Sequence, residues 1–255
     1  MAQDAIRRRI AAGELAIAFS IKSLRSVEAA MVAKTLGFDW LFIDLEHSSL
    51  DLDLACQICM AAHGCDVVPL VRVTEGNLGM ATRALDGGAS GIVMPHVDTA
   101  EQARAFVQAI KYPPIGKRSV AGPAPQLNLK TVPLPEMIAT LNAQTYAVVM
   151  LETATAIENA EAIAAVEGLD ILLIGSGDLS TDLGVPGQVD HPKIEAAYKT
   201  LAAACKKHGK IAAVGGVADN ALAKHYASFG CPVIHSPPDL LYLMKGAASR
   251  VTDLR

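Results

Sequence analysis

Aromatic residues are scarce in this sequence. They make up 4% of 255 residues, with one tryptophan, five tyrosines and five phenylalanines. Such a chain offers few flat surfaces on which nucleic-acid bases could stack. An excess of either charge is also lacking. There are 22 Lys and Arg against 26 Asp and Glu, a formal net charge of -4, and no long run of either sign. The basic footprint of a nucleic-acid-binding protein is therefore missing. No apolar run reaches the ~20 residues of a membrane helix, and the polar stretch from Met1 to Ile10 has no signal-peptide core. Cysteines are few and odd in number: Cys56, Cys59, Cys65, Cys205 and Cys231. The pair Cys56-x-x-Cys59 has redox or metal spacing, but no second pair completes a zinc site. Both lie in a helical stretch, where free cysteine acts as a small core hydrophobe. The composition points to a cytoplasmic protein with reduced thiols, no membrane contact and no nucleic-acid partner.

The chain does have apolar residues, 51% of the total, enough for a sizeable core. Short β-branched runs alternate with stretches of helical period. The predicted strands are Leu15–Phe19, Trp40–Asp44, Val67–Val73, Gly91–Pro95, Ala147–Leu151, Ile171–Gly175, Ile211–Val214 and Val233–His235. They are continuously apolar, as strands covered on both faces are. The predicted helices are Val27–Leu36, Leu52–Ala62, Leu78–Asp86, Ala100–Lys111, Ala156–Val166, Ile194–Lys207, Ala221–Phe229 and Leu240–Arg250. Thr99-x-x-Gln102 and Thr155-x-x-Glu158 have the spacing of capping boxes. Eight β-then-α units in a chain of this length predict an α/β protein: one (β/α)₈ TIM barrel over residues 1–255. A doubly wound open sheet would want a glycine-rich turn after its first strand, and Ser20-Ile-Lys-Ser-Leu-Arg25 is not one. One interval is too long for a simple connection. Residues 111–147 hold six of the thirteen prolines and a short helix near Glu136–Leu141. Such an excursion can serve as a lid or a contact between subunits.

Barrel enzymes carry their chemistry at the C-terminal ends of the strands. The second run ends in Asp44-Leu-Glu46-His47, the third in Arg72, the fourth in Pro95-His96, the fifth in Glu152, and the sixth leads into Gly175-Ser-Gly-Asp178. Glu152 and Asp178 are hard oxygen donors from neighbouring strands, suited to Mg²⁺ or Mn²⁺, with Co²⁺ a further candidate. Each alone also reads as an exposed strand-end carboxylate or a helix cap. Arg72 can grip a carboxylate or an oxyanion bidentately, or make a rim salt bridge. The amides around Ser176 and Gly177 can cradle a small anion. His47 is a candidate general base, with Asp86 to orient it. The other histidines read as structural, His96 with least force.

With these residues in place, the sequence resembles the HpcH/HpaI aldolase family of pyruvate-type, class II aldolases. The resemblance is carried by Gly37-Phe-Asp-Trp-Leu-Phe-Ile-Asp-Leu-Glu-His47, Pro69-Leu-Val-Arg72, Leu85-Asp-Gly-Gly-Ala89, Tyr112-Pro-Pro-Ile-Gly-Lys-Arg118, Glu152 and Ile174-Gly-Ser-Gly-Asp-Leu-Ser180. It implies a barrel whose C-terminal helix is exchanged between subunits, in a homo-oligomer such as a hexamer built as a trimer of dimers. It implies a divalent metal cation on Glu152 and Asp178, chelated by a 2-oxo acid, with Arg72 at the oxygen and Asp44 supporting the metal's water shell. His47, paired with Asp86, would move protons. Two positions depart from the family pattern. Met150 stands where a glutamine often helps hold pyruvate, and Gly175-Ser-Gly-Asp178 replaces Gly-Pro-Ala-Asp.

The expected activity is reversible cleavage of a 4-hydroxy-2-oxo acid to pyruvate, or a related 2-oxo acid, plus an aldehyde. Met150 keeps a second reaction open, decarboxylation or carbon–carbon hydrolysis of a 2-oxo acid on the same site. A Schiff-base aldolase would need a lysine at a strand end. None of the eight runs ends in one, since Lys117 and Lys130 lie in the long interval and Lys210 precedes a strand. A barrel that binds a ligand without catalysis is the reading from another class.

Overall fold

The computed structural model describes residues 4–255. Eight parallel strands close into a barrel in sequence order. They are β1 (Ala16–Ile21), β2 (Trp40–Asp44), β3 (Val68–Arg72), β4 (Gly91–Met94), β5 (Tyr146–Leu151), β6 (Ile171–Gly175), β7 (Ile211–Gly215) and β8 (Val233–Ile234). Each falls on one of the apolar runs. Both faces of every strand are covered, which is why the runs are continuous. Trp40, Phe42, Val68, Leu70, Val148, Met150, Ile171 and Leu173 fill the interior. Leu41, Ile43, Val71, Val149, Leu151, Leu172 and Ile174 face the helices outside. Side chains alternate with period two along a strand, so inside and outside residues interleave.

The Thr99–Gln102 capping box forms as expected: the threonine hydroxyl accepts from the Gln102 amide at 3.2 Å and the Gln102 side chain reaches back to the Thr99 N–H at 3.0 Å. The Thr155 box does not. The helix there starts earlier and is capped by Thr153, whose hydroxyl accepts from Ala156 N at 3.0 Å. That stretch is also broken into two short helices, Ala154–Glu158 and Ala160–Ala164. Two helices lie outside the predicted set. Ala5–Ala11 places Ile6, fully buried, in the interior cluster and so plugs the N-terminal end of the barrel. Ser176–Asp182 follows β6 directly.

The proline-rich interval lies at the end opposite the strand tips. Lys111 reaches the Asn142 carbonyl at 3.0 Å and the Asp170 carboxylate at 3.2 Å, and Asp170 immediately precedes β6. Tyr112, Ala124, Met137 and Leu141 form a small core of their own there. The segment therefore cannot close over the C-terminal mouth of its own barrel.

Candidate active site

The period-two rule decides which side chains enter the mouth. In β2 the inward residues are Trp40 and Phe42, and the next inward position is Asp44. In β3 they are Val68 and Leu70, followed by Arg72, and in β5 Val148 and Met150, followed by Glu152. Asp44 and Arg72 are register partners on adjacent strands. Arg72 grips Asp44 with two bonds, Nε to Oδ1 at 2.9 Å and Nη2 to Oδ2 at 2.6 Å. Its remaining nitrogen, Nη1, is 3.0 Å from Glu46 Oε2. The Glu46 and His47 amides donate to Asp44 Oδ1 at 3.0 and 3.1 Å. Burial works to raise the Asp44 pKa, but the Arg72 bonds and charge, the His47 amide and Lys22 outweigh it and hold it at about 2. Glu46 Oε2 is buried with no aligned hydrogen-bond donor, an acceptor turned toward the mouth.

Across the barrel, Glu152 is buried beneath His96. The His96 backbone N–H donates to Glu152 Oε2 at 2.9 Å, and His96 Nδ1 lies 3.3 Å from the same oxygen. His96 adopts a left-handed backbone, φ 52°, which few non-glycine residues do. That turn, after Pro95, aims both its amide and its ring at Glu152. Burial raises the Glu152 carboxyl to about 6, and the nearby charge of Asp178 adds to this against His96 and Arg72. Gly175 is required beside it, because a Cβ there would meet Glu152 Oε1 at 2.5 Å. Asp178 is exposed in the first turn of the helix Ser176–Asp182. The glycine-rich turn expected at Gly175–Gly177 is thus the start of a helix. Gly216, at φ 73°, packs against the start of that helix, since a Cβ there would come within 3.1 Å of Ser176 N and 3.2 Å of Gly177 N.

The candidates do not all converge. Asp44, Arg72, Glu152 and Asp178 share the mouth. Ser176 is fully buried, and its hydroxyl turns away, bonding the Tyr198 hydroxyl at 2.8 Å. His47 stands at the rim, 53% exposed, with Glu46 Oε2 3.7 Å from its Nε2. Asp86 is at the far end of the helix Leu78–Asp86, which runs back toward the strand starts, and is paired with Arg118 at 2.6 Å. Within one chain, His47 and Asp86 therefore lie at opposite ends of the barrel. Met150 is buried, with its sulfur 3.9 Å from Arg72 Nη1, a weak acceptor beside a strong donor.

A model of the HpcH/HpaI aldolase/citrate lyase family matches residues 22–228. The chain belongs to this family. It is 40% identical over 227 residues to the 4-hydroxy-4-methyl-2-oxoglutarate aldolase of Hapsidospora irregularis, covering 88% of this chain and 84% of that one. A protein of the same description from Chaetomium globosum is 43% identical over 214 residues, covering 83% and 80%. The fold matches the HpcH/HpaI aldolase of Desulfitobacterium hafniense DCB-2 with a TM-score of 0.92 at 27% identity, covering 98% and 96%. The chain is accordingly an aldolase, a carbon–carbon lyase.

Three further residues of this HpcH/HpaI aldolase enter the mouth, two of them histidines that read as structural in the sequence. His96 is one; it bridges Glu152 and, at 3.9 Å, Glu46. Lys22 is the second. β1 runs two residues further than its apolar pattern indicates, and the inward series Ala16, Ala18, Ser20 ends on Lys22, 3.4 Å from Asp44 Oδ2. The third is His235, after β8. It stacks on Phe42 with centroids 4.1 Å apart and shares a 3.0 Å hydrogen bond with the Ser20 hydroxyl. Burial, then the Arg72 charge, pushes its pKa down to about 3, so it is a neutral wall of the site. The signal for Lys22 is parity, counting inward positions by two past the end of its apolar run, whereas His96 and His235 stand at the ends of theirs.

Proposed function

We propose that this aldolase reversibly cleaves a 4-hydroxy-2-oxo acid into pyruvate, or a closely related 2-oxo acid, and a carbonyl compound, with a divalent cation held by Glu152 and Asp178. The observation that carries the metal assignment is the Glu152 carboxylate itself. It is buried just after β5, next to a second carboxylate from the β6 end, and its pKa is raised by both circumstances. A cation relieves both. Among the described residues no group of three or more His, Cys, Asp or Glu side chains is arranged to hold a metal. Two carboxylates with the other positions left to water and substrate is the donor set that suits Mg²⁺ or Mn²⁺. Such an ion supplies Lewis acidity for charge developing on the keto oxygen.

The remaining work falls to the protein. The main chain at Ser176 and exposed Gly177 receives the 2-oxo acid carboxylate at a helix start, where N–H groups point outward. Arg72, fixed on two carboxylates, presents its positive edge to the keto oxygen. In cleavage the C4 hydroxyl gives its proton to a base, the C3–C4 bond breaks, and its electron pair passes into the enolate of the 2-oxo acid. C3 is then protonated to complete the product. His47 is the base at the C4 hydroxyl, the exposed imidazole of the rim. Asp86 can orient it only from a second copy of the chain.

The test is proton exchange at C3 of pyruvate in D₂O, followed by NMR with Mg²⁺ or Mn²⁺ and then with EDTA. Exchange that requires the ion is expected. A protein that binds the ion stoichiometrically yet shows no exchange would exclude pyruvate as the donor half.

A homo-oligomer with exchanged C-terminal helices is part of the same proposal. In the helix Asp239–Leu254 only Asp239 is buried. Leu243 and Met244 are 68% and 59% exposed, alongside exposed Leu240, Leu241, Val251 and Leu254. Monomers rarely leave such a continuous apolar face in water. Changing Leu243 and Met244 to Asp should weaken association by roughly 3–6 kcal/mol per helix, on the basis of ~1.5–3 kcal/mol for each buried side chain. Light scattering should then show a shift toward monomer. An unchanged mass would place the interface elsewhere. Five free thiols suit a reducing compartment; no described helix is long and apolar enough to cross a membrane. We place the protein in the cytoplasm.

A further inference from the structure

Two cations at the β1–β2 side of the mouth have no part in the reaction as described. Lys22 continues the inward series of β1. Its ammonium is 3.4 Å from Asp44, and its side chain is 30% exposed, toward the opening. An ammonium has three donors, so the ones not facing Asp44 are left for a ligand. Arg25 lies on the same loop. Among the described residues its guanidinium bonds only Ser49, at the carbonyl (3.2 Å) and the hydroxyl, both neutral, so its charge is not cancelled by any carboxylate.

The loop carrying them is held rigidly. The buried Asp239 carboxylate accepts from the amides of Lys22 at 3.2 Å, Ser23 at 2.9 Å and Leu24 at 2.6 Å. Three successive main-chain donors on one carboxylate fix the direction in which Lys22 leaves the strand. Long lysine side chains lose binding energy to their own disorder. Pinning the backbone reduces that loss.

Position around the barrel gives these cations their meaning. Glu152 and Asp178 follow β5 and β6, and Lys22 and Arg25 follow β1, four strands from β5 and three from β6 and so across the mouth. A 2-oxo acid anchored at β5–β6 directs its C3 carbon toward the centre. The carbonyl compound that bonds to C3 then extends toward β1 and β2. The charges on that wall are otherwise balanced, with Asp44 and Glu46 against Arg72 and Lys22. Arg25 adds one positive charge more.

We infer that Lys22, backed by Arg25, binds a carboxylate on the carbonyl acceptor, so that this aldolase selects acceptors that are themselves anionic. The inference rests on the aldolase reading above and specifies its second substrate. It makes Lys22 a specificity-determining residue.

Glyoxylate and glycolaldehyde separate the two readings. Both are small aldehydes, and only glyoxylate carries a carboxylate. With pyruvate as donor and Mg²⁺ or Mn²⁺ present, the ratio of kcat/KM for glyoxylate over glycolaldehyde is measured in the wild type, Lys22→Met and Lys22→Arg. The wild type should favour glyoxylate. Lys22→Met should lower the ratio about 30-fold, through KM for glyoxylate, as loss of a hydrogen bond to a charged group does. Lys22→Arg should keep most of the preference. A ratio unchanged in Lys22→Met, with both acceptors slowed equally, would show that Lys22 serves only to balance Asp44 and would overturn the inference. A wild type that exchanges pyruvate C3 protons but prefers glycolaldehyde would overturn it too while leaving the aldolase reading standing. A wild type with no metal-dependent exchange would overturn both.

Discussion

Glu152→Gln should yield a folded protein that has lost its metal-dependent activity. Turnover and pyruvate C3 exchange are expected to fall by roughly 10³-fold or more, beyond the ~10–100-fold loss seen when a residue behind a ligand is removed. The glutamine amide fills the same space and keeps an oxygen for the His96 N–H, so packing is preserved. What is lost is the charge. In the cation-free wild type that charge is a burden, because burial and Asp178 raise the folded pKa to about 6 from an ordinary 4.5. A raised carboxyl pKa means that the folded state binds the proton more tightly than the unfolded chain. Stability without the ion therefore declines as pH rises from about 4.5 through about 6, and stays at its lower value above that. The groups facing Glu152 are His96, Asp178 and Arg72. At pH 8 and in EDTA, the Gln variant should be more stable than the wild type by roughly 1–2 kcal/mol, at about 1.4 kcal/mol per pKa unit. On adding Mn²⁺ the order should reverse, since only the wild type gains stability by binding. Thermal unfolding with and without the ion checks both halves. A Gln variant still stabilised by Mn²⁺ as strongly as the wild type would remove Glu152 from the metal site.

Arg72→Ala should have the second large effect, and on stability as well as rate. Arg72 is the partner of two carboxylates, Asp44 and Glu46, and Asp44 is 1% exposed. Removing it leaves buried negative charge with only Lys22 nearby, a loss of about 3–5 kcal/mol for a broken buried pair. Activity should fall by a further ~10²–10³-fold in protein that remains folded, since a donor at the developing oxyanion is gone. Acid behaviour should change too. Asp44 titrates at about 2 in the folded wild type against an ordinary 3.8. Its contribution is fully present above about 3.8 and is lost as pH falls through about 2. Without Arg72 the folded pKa rises, and that contribution disappears. Urea unfolding at neutral pH, joined to acid titration of the circular dichroism, measures both. Arg72→Lys keeps the charge but cannot span Asp44 and Glu46 together, so it should recover stability better than rate. A wild-type urea midpoint in Arg72→Ala would mean that these carboxylates are not stabilised as the distances indicate.

The order of elements is legible in the chain itself. Eight apolar runs alternating with helical periods leave little choice but a closed parallel barrel, because strands apolar on both faces must be covered on both. Glu152, Asp178, Arg72 and Asp44 can be found by looking just beyond those runs. The carboxylate pair on neighbouring strands, and the chemistry it suits, are properties of residue type and order. What the chain does not display is phase. With both faces apolar, hydrophobicity does not mark which residues point inward, and so the pattern alone does not show that Lys22, beyond its run, enters the mouth. The inclusion of Ile6 as a barrel plug is hidden for a related reason. A short helix that buries only Ala5 and Ile6 at the barrel end carries almost no periodic signal.

Tertiary structure alone decided three matters. It separated His47 from Asp86, because a helix returning along the barrel carries its last residue to the opposite end from the strand tip. It brought His96 onto Glu152, through a left-handed turn that sequence pattern does not encode. It assembled the Asp239 clamp on the β1 loop, a contact between residues more than two hundred positions apart. Strand order and residue type, which are local, determined the fold and the kind of chemistry. Side-chain direction and long-range contact, which arise only when the barrel closes, decided which of the polar residues meet.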